Sequence, residues 1–206
     1  MPGISNKEAA ARQEAVLGQP IRIAPLAQDE VGADVRDLVN RIGATLDYTP
    51  EEELTAYFTV LARHPHLFKS QLEMGIFLFS GSTIPPRERE LAVLRTAWLA
   101  GAPYEWGEHV DIARKLGISA AETDAVRAGP SAPGWNDHER TLLTAVDELF
   151  EAKMISDPTW AGLAEVYSEA QLIELPCLVG QYLSVAMLQN SLRLPLGNER
   201  KGFAER

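Results

Sequence analysis

The feature that most constrains this chain is a series of helix-start signals with no alternating segment between them. Thr49-Pro50-Glu51-Glu52 reads as an N-cap, a Pro at N1 and a Glu at N3. Ser119-x-x-Glu122 and Asn136-x-x-Glu139 are capping boxes, and Ser168-x-x-Gln171 repeats the pattern. In each, a short polar side chain accepts from the N–H groups that a first helical turn leaves unpaired. Apolar residues after these signals recur at helical spacing, as in Val31, Val35, Leu38, Val39 and Ile42, and again in Leu142, Leu143, Val146, Leu149 and Phe150. No segment alternates convincingly with period two and no internal repeat stands out. The expected class is all-α.

Punctuation divides the rest. Residues 1–28 read as an N-terminal arm, a polar Ala-rich helical piece followed by an extended run around Pro20 and Pro25, and residues 29–206 as one helical domain. The pattern predicts helices from Thr49 to about Arg63, over 67–79 after the His64-Pro65 interruption, over 87–100 after Pro85-Pro86, and over 104–115. Gly101-Ala102-Pro103 is a tight break between the last two, and 129–134 is the clearest loop. The final helices start at Asp157-Pro158 and at Ser168, and the last ends near Leu192.

A formal net charge of −10 argues against nucleic acid as a partner and repels anionic substrates at long range. A carboxylate substrate therefore needs a local cationic or hydrogen-bonding pocket. The single cysteine, Cys177, excludes an internal disulfide, a Cys-x-x-Cys centre and Cys-rich zinc sites, and is expected in the core. Residues 1–15 lack an apolar signal core, and the apolar stretch 172–188 is interrupted by Glu174, Pro176 and Gln181. The expectation is a cytoplasmic protein with no membrane partner.

Glu105 and His109 stand four residues apart, which places them on one helix face. Glu90 lies one helix earlier, across a break short enough to fold the two helices together. A histidine beside a carboxylate keeps a defined tautomer, and a second carboxylate in an apolar site acts as acid or base according to its burial. Such a trio is suited to proton transfer. By spacing alone, however, a Glu–His pair is more often an ordinary solvated contact worth about 0.2–0.5 kcal/mol.

The segment 85–117, PPRERELAVLRTAWLAGAPYEWGEHVDIARKLG, closely resembles the signature of the carboxymuconolactone decarboxylase / AhpD-like family. The entry Ile76-Phe77-Leu78-Phe79-Ser80-Gly81-Ser82-Thr83, the block APGWNDHERTLLTAVDEL and the closing EAQLIELPCLVGQYLSVAMLQNSL fit it too, so the resemblance runs from about Pro25 to Leu196. It implies an AhpD-like helical domain that assembles as a homo-oligomer (dimer, trimer or hexamer). In the family's peroxidase branch, a Glu and a His fall on Glu90 and His109, and two cysteines fall on Ala102 and Glu105. With neither thiol present, thiol peroxide chemistry is not expected. The decarboxylase branch places a Glu and a His where Glu105 and His109 stand. It implies a cofactor-independent, metal-free lyase acting on a small enolisable carbonyl compound or lactone, with His109 donating or shuttling a proton, Glu105 as its partner and Glu90 orienting it. The alternative reading is a non-catalytic oligomeric ligand-binding or scaffold protein.

Tyr104, Trp106, Trp98 and Arg95 are the candidates for lining the substrate pocket, Arg95 because its neighbours Leu94 and Ala97 read as buried. Arg87 and Arg89 read as surface charges in a first turn. Tyr182 is a possible pocket wall, and Gln181 and Gln189 read as bridges to backbone or to another subunit. His64 and His66 have no metal-ligand company, and His138 reads as a surface residue beside a cap.

Overall fold

A computed structural model describes residues 5–46, 53–197 and 200–206, with the backbone alone for 42–46. The described residues are helical, without strands, and form α1 (Asn6–Leu17), α2 (Ala33–Leu46), α3 (Ala56–Leu61), α4 (Pro65–Ile76), α5 (Pro86–Leu99), α6 (Pro103–Lys115), α7 (Ala120–Ala128), α8 (Asp137–Ala152), α9 (Asp157–Ala164) and α10 (Glu169–Leu192). The all-α expectation holds. The signal at Thr49–Glu52 lies outside the described residues.

The capping boxes act as the sequence demands. Ser119, Asn136 and Ser168 accept from the N–H groups of Glu122, Glu139 and Gln171, and those side chains return to the cap residue's N–H. Ser5 and Glu8 make a further box at the start of α1. His64 caps α4 through Nδ1, which accepts from the Leu67 N–H at 3.3 Å.

α5 runs through the centre and packs against α6, α7, α8 and α10. Residues 89–98 are all buried, charged and apolar alike, so this helix has no solvent face. α5 ends with the Ala102 N–H on the Ala97 carbonyl and the Gly101 N–H on the Trp98 carbonyl, both at 3.0 Å. That closure needs a left-handed residue, and Gly101 supplies it at φ +59°. Pro103 then opens α6. This compact hairpin aligns the middle of α5 with the first turns of α6.

The arm is part of the packed body. Ala9 of α1 joins the main core, and Gln13 accepts from the Phe203 N–H at 2.8 Å, tying α1 to the C-terminal segment. The helix expected over 67–79 instead ends at Ile76 and widens into a π-turn over residues 77–81. The Phe79 carbonyl in that turn accepts from Arg89 at 2.5 Å. α10 runs unbroken through Pro176 to Leu192, as the start signal at Ser168 and the expected end near Leu192 require, and by length and composition it could cross a membrane. Its Leu175, Leu178, Ala186 and Gln189 are nevertheless core residues of this fold.

Candidate functional site

The α5–α6 hairpin brings the trio together. His109 Nδ1 lies 2.6 Å from Glu90 Oε2, and Nε2 lies 3.2 Å from Glu105 Oε1. Glu90 is fully buried, while Glu105 and His109 retain 5% and 7% exposure. The imidazole is thus held at both nitrogens by carboxylates from two helices. Burial alone would lower the His109 pKa; the Glu90 charge, with the hydrogen bonds to Glu105 and Glu90, outweighs this and raises it to about 10. At neutral pH the ring is an imidazolium that donates from both nitrogens.

Two further side chains complete the arrangement. Arg89 Nε lies 3.0 Å from Glu90 Oε1, and its guanidinium sits 4.4 Å over the Phe79 ring. Gln189 Nε2 donates to Glu105 Oε2 at 2.5 Å, leaving Gln189 Oε1 buried with no partner among the described residues. The series Arg89–Glu90–His109–Glu105–Gln189 therefore crosses three helices. Sequence reasoning read Arg89 as a surface charge and Gln189 as a bridge to backbone or another subunit, and both readings are corrected. For Gln189 the only sequence signal was a polar residue inside an apolar stretch, and Arg89, set among charged residues, carried none.

Aromatic residues border this series. Tyr182 stands edge-to-face against His109, with ring centroids 4.9 Å apart. Tyr104 lies near Tyr57 (centroids 6.2 Å apart), and its hydroxyl donates to Thr55 at 3.4 Å. Burial pushes the phenols of Tyr57, Tyr104 and Tyr182 above the ordinary tyrosine range, and the negative charge of Glu105 adds to this in all three. All three stay protonated and able to donate. Tyr57 was missed because nothing local marks it.

Arg95, Trp98 and Trp106 go elsewhere. Arg95 is buried and makes a two-pronged pair with Asp147, at 2.6 and 2.8 Å, and donates to the Val126 and Arg127 carbonyls at 2.9 Å. Its donors are spent on joining α5, α7 and α8. Trp98 and Trp106 pack on one another and on Phe203, and the Arg127 guanidinium lies over both rings. Their structural position is core packing under the C-terminal segment, so the pocket-lining expectation does not carry over to these three. Cys177 is exposed on α10 rather than buried. His138 is not a plain surface residue: Nε2 lies 3.2 Å from Glu88 Oε2, which also accepts from the Tyr167 hydroxyl at 2.6 Å.

The carboxymuconolactone decarboxylase family model matches residues 65–148, which include Glu90, Glu105 and His109. Residues 65–148 are thus similar to that family, and the fold around them is AhpD-like. The AhpD-like fold is shared with an uncharacterised peroxidase-related protein with an alkylhydroperoxidase AhpD core from Ralstonia eutropha JMP134. The two are 15% identical with a TM-score of 0.75, over 88% of this chain and 95% of that one. The debrominase Bmp8, in complex with 2,3,4-tribromopyrrole, is 14% identical with a TM-score of 0.73, over 87% and 94%. The protein ATU0492 from Agrobacterium tumefaciens, described with the antioxidant defence protein AhpD, is 19% identical with a TM-score of 0.63, over 68% and 96%. No functionally curated protein matches the chain. At such identities the AhpD-like fold is shared and no reaction is fixed by it.

One pH dependence follows from the raised His109. A folded-state pKa of about 10, against about 6.5 for a free histidine, favours the folded protein. This contribution is fully present below about pH 6.5 and is lost as the pH rises through the folded-state value. A carbon-detected NMR titration of the ring should show His109 still protonated at pH 8, and a midpoint near 6.5 would contradict the arrangement.

Proposed function

We propose that this protein is a cofactor-independent acid/base enzyme, a decarboxylase-like carbon–carbon lyase acting on a small enolisable carbonyl compound or lactone. The observation that carries this reading is the buried imidazolium clamped between Glu90 and Glu105, within the region that matches the decarboxylase family. In such a reaction the bond from carbon to the substrate carboxylate breaks and CO₂ leaves. The electron pair passes into the conjugated carbonyl as a dienolate. His109 then donates its Nε2 proton to carbon, Glu105 relays the replacement proton, and Glu90 with Arg89 behind it holds the ring. The neutral phenols of Tyr57 and Tyr182 are donors for an enolate oxygen, and Gln189 Oε1 is an acceptor for a substrate hydroxyl or protonated acid. A dry, preorganised setting of this kind supplies the largest share of the rate.

The expected homo-oligomer finds support in exposed apolar residues at α9 and its junction with α10, namely Trp160, Val166 and Ile173. A cytoplasmic location belongs to the same reading.

The test is solvent deuterium incorporation into candidate β-keto acids and unsaturated lactones, followed by NMR. Glu105→Gln keeps the side-chain shape, and the Gln189 amide can flip to meet it. The exchange rate is expected to drop by about 10²–10⁴ with folding intact. Equal exchange by this variant and the wild type would remove Glu105 from the chemistry.

A further inference from the structure

A cleft of about 520 Å³, within the roughly 300–1,000 Å³ usual for small-molecule sites, is lined by residues of both α1 and α10. Arg12, Arg22 and Arg193 line it together with Asn190 and the apolar Leu99, Phe150 and Met187. No acidic side chain lines it, although the chain as a whole carries a net charge of −10. Among the described residues none of the three guanidinium groups has a carboxylate partner. Arg22 donates once, to the Ser191 carbonyl at 3.0 Å.

Three arginines lining one cleft with no acidic side chain among its walls stand out in a protein of net negative charge. Arg12 is exposed but rests on the α5–α6 hairpin. Its stem lies over Gly101, where a Cβ would come within 2.9 Å of Arg12 Cγ. Asn190 adds a second observation. Its Nδ2 donates to the Gly101 and Ala100 carbonyls at 3.2 and 3.4 Å, which fixes the amide. Its Oδ1 is buried without a donor. A buried acceptor left unpaired costs about 1–3 kcal/mol unless something supplies a proton to it.

We infer that this cleft is a binding site for a small anionic molecule, one carboxylate or phosphate group on a short apolar body. The arginines receive the oxyanion, since their planar forks match carboxylate and phosphate oxygens. The apolar body lies against Leu99, Phe150 and Met187. The site is separate from the Glu105–His109 cluster and does not depend on the reaction assigned there.

Calorimetric titration of the whole protein with phenyl phosphate, and with phenol as the uncharged control, tests this. Phenyl phosphate should bind saturably at one site and phenol should not. The Arg12→Gln/Arg22→Gln variant should bind about tenfold or more weakly, with its thermal transition unchanged. If the variant does not fold, the Asn190 side-chain amide signals of the wild type give the same answer and should shift with phenyl phosphate and not with phenol. Absence of saturable binding, equal binding of the two probes, or binding indifferent to the substitutions overturns the assignment. So does sedimentation showing that the substitutions dissociate an oligomer while phenyl phosphate leaves the wild type untouched.

Discussion

His109→Ala is expected to abolish turnover and to remove a large part of the stability of the fold at the same time. Glu90 is fully buried and has one oxygen on His109 at 2.6 Å and the other on Arg89 at 3.0 Å. Glu105 likewise divides its oxygens between His109 and Gln189. Removing the imidazolium leaves two buried carboxylates facing a cavity, Glu90 still paired with Arg89 and Glu105 without a cationic partner among the described residues. Breaking a buried pair in this way costs about 3–5 kcal/mol, a large share of the roughly 5–15 kcal/mol that holds a domain folded. Loss of the proton donor removes a further factor of about 10²–10⁴ in rate. Urea denaturation at pH 7 measures the first effect, and solvent deuterium incorporation under conditions where the variant is folded measures the second. A folded variant exchanging deuterium at the wild-type rate would end the proton-donor role, whatever its stability.

How much of this was legible beforehand follows from the range of the interactions. Capping boxes at Ser119, Asn136 and Ser168 are contacts over three residues, so their start points were readable and the helices begin there. The Glu105–His109 pair was readable for the same reason, and Glu90 followed from the short α5–α6 break. Arg89, Gln189 and Tyr57 reach the site from across the fold, and no local pattern announces such contacts. α5 misled in a particular way. Because residues 89–98 are buried all round, the helix has no amphipathic phase from which to tell which face each side chain takes. Burial around Arg95 was therefore readable, while the direction of Arg95 and of Trp98 was not. Cys177 and His138 failed for the opposite reason. An apolar stretch suggested burial for the first and a cap position suggested exposure for the second, and in both the tertiary neighbours decided.

Arg95 gives the sharpest test of that distinction, because a pocket residue and a packing residue predict opposite results. Arg95→Met keeps the length and apolar stem of the side chain and deletes the guanidinium. Asp147 then loses both of its short contacts, and the Val126 and Arg127 carbonyls at the end of α7 lose their donors. Gly129 next to them cannot compensate, since its φ of +88° is left-handed and a Cβ there would already meet the Arg95 guanidinium at 2.7 Å. The expected cost is about 3–5 kcal/mol, close to that of His109→Ala, since here too a charge is stranded in a largely buried place. Deuterium exchange per folded molecule should stay within a few fold of wild type, because no contact of Arg95 reaches Glu90, Glu105 or His109. Denaturant titration and exchange measured on the same preparation separate the two quantities. A stable Arg95→Met protein with exchange lost would return Arg95 to the substrate pocket and would mean that its pairing with Asp147 opens when substrate binds.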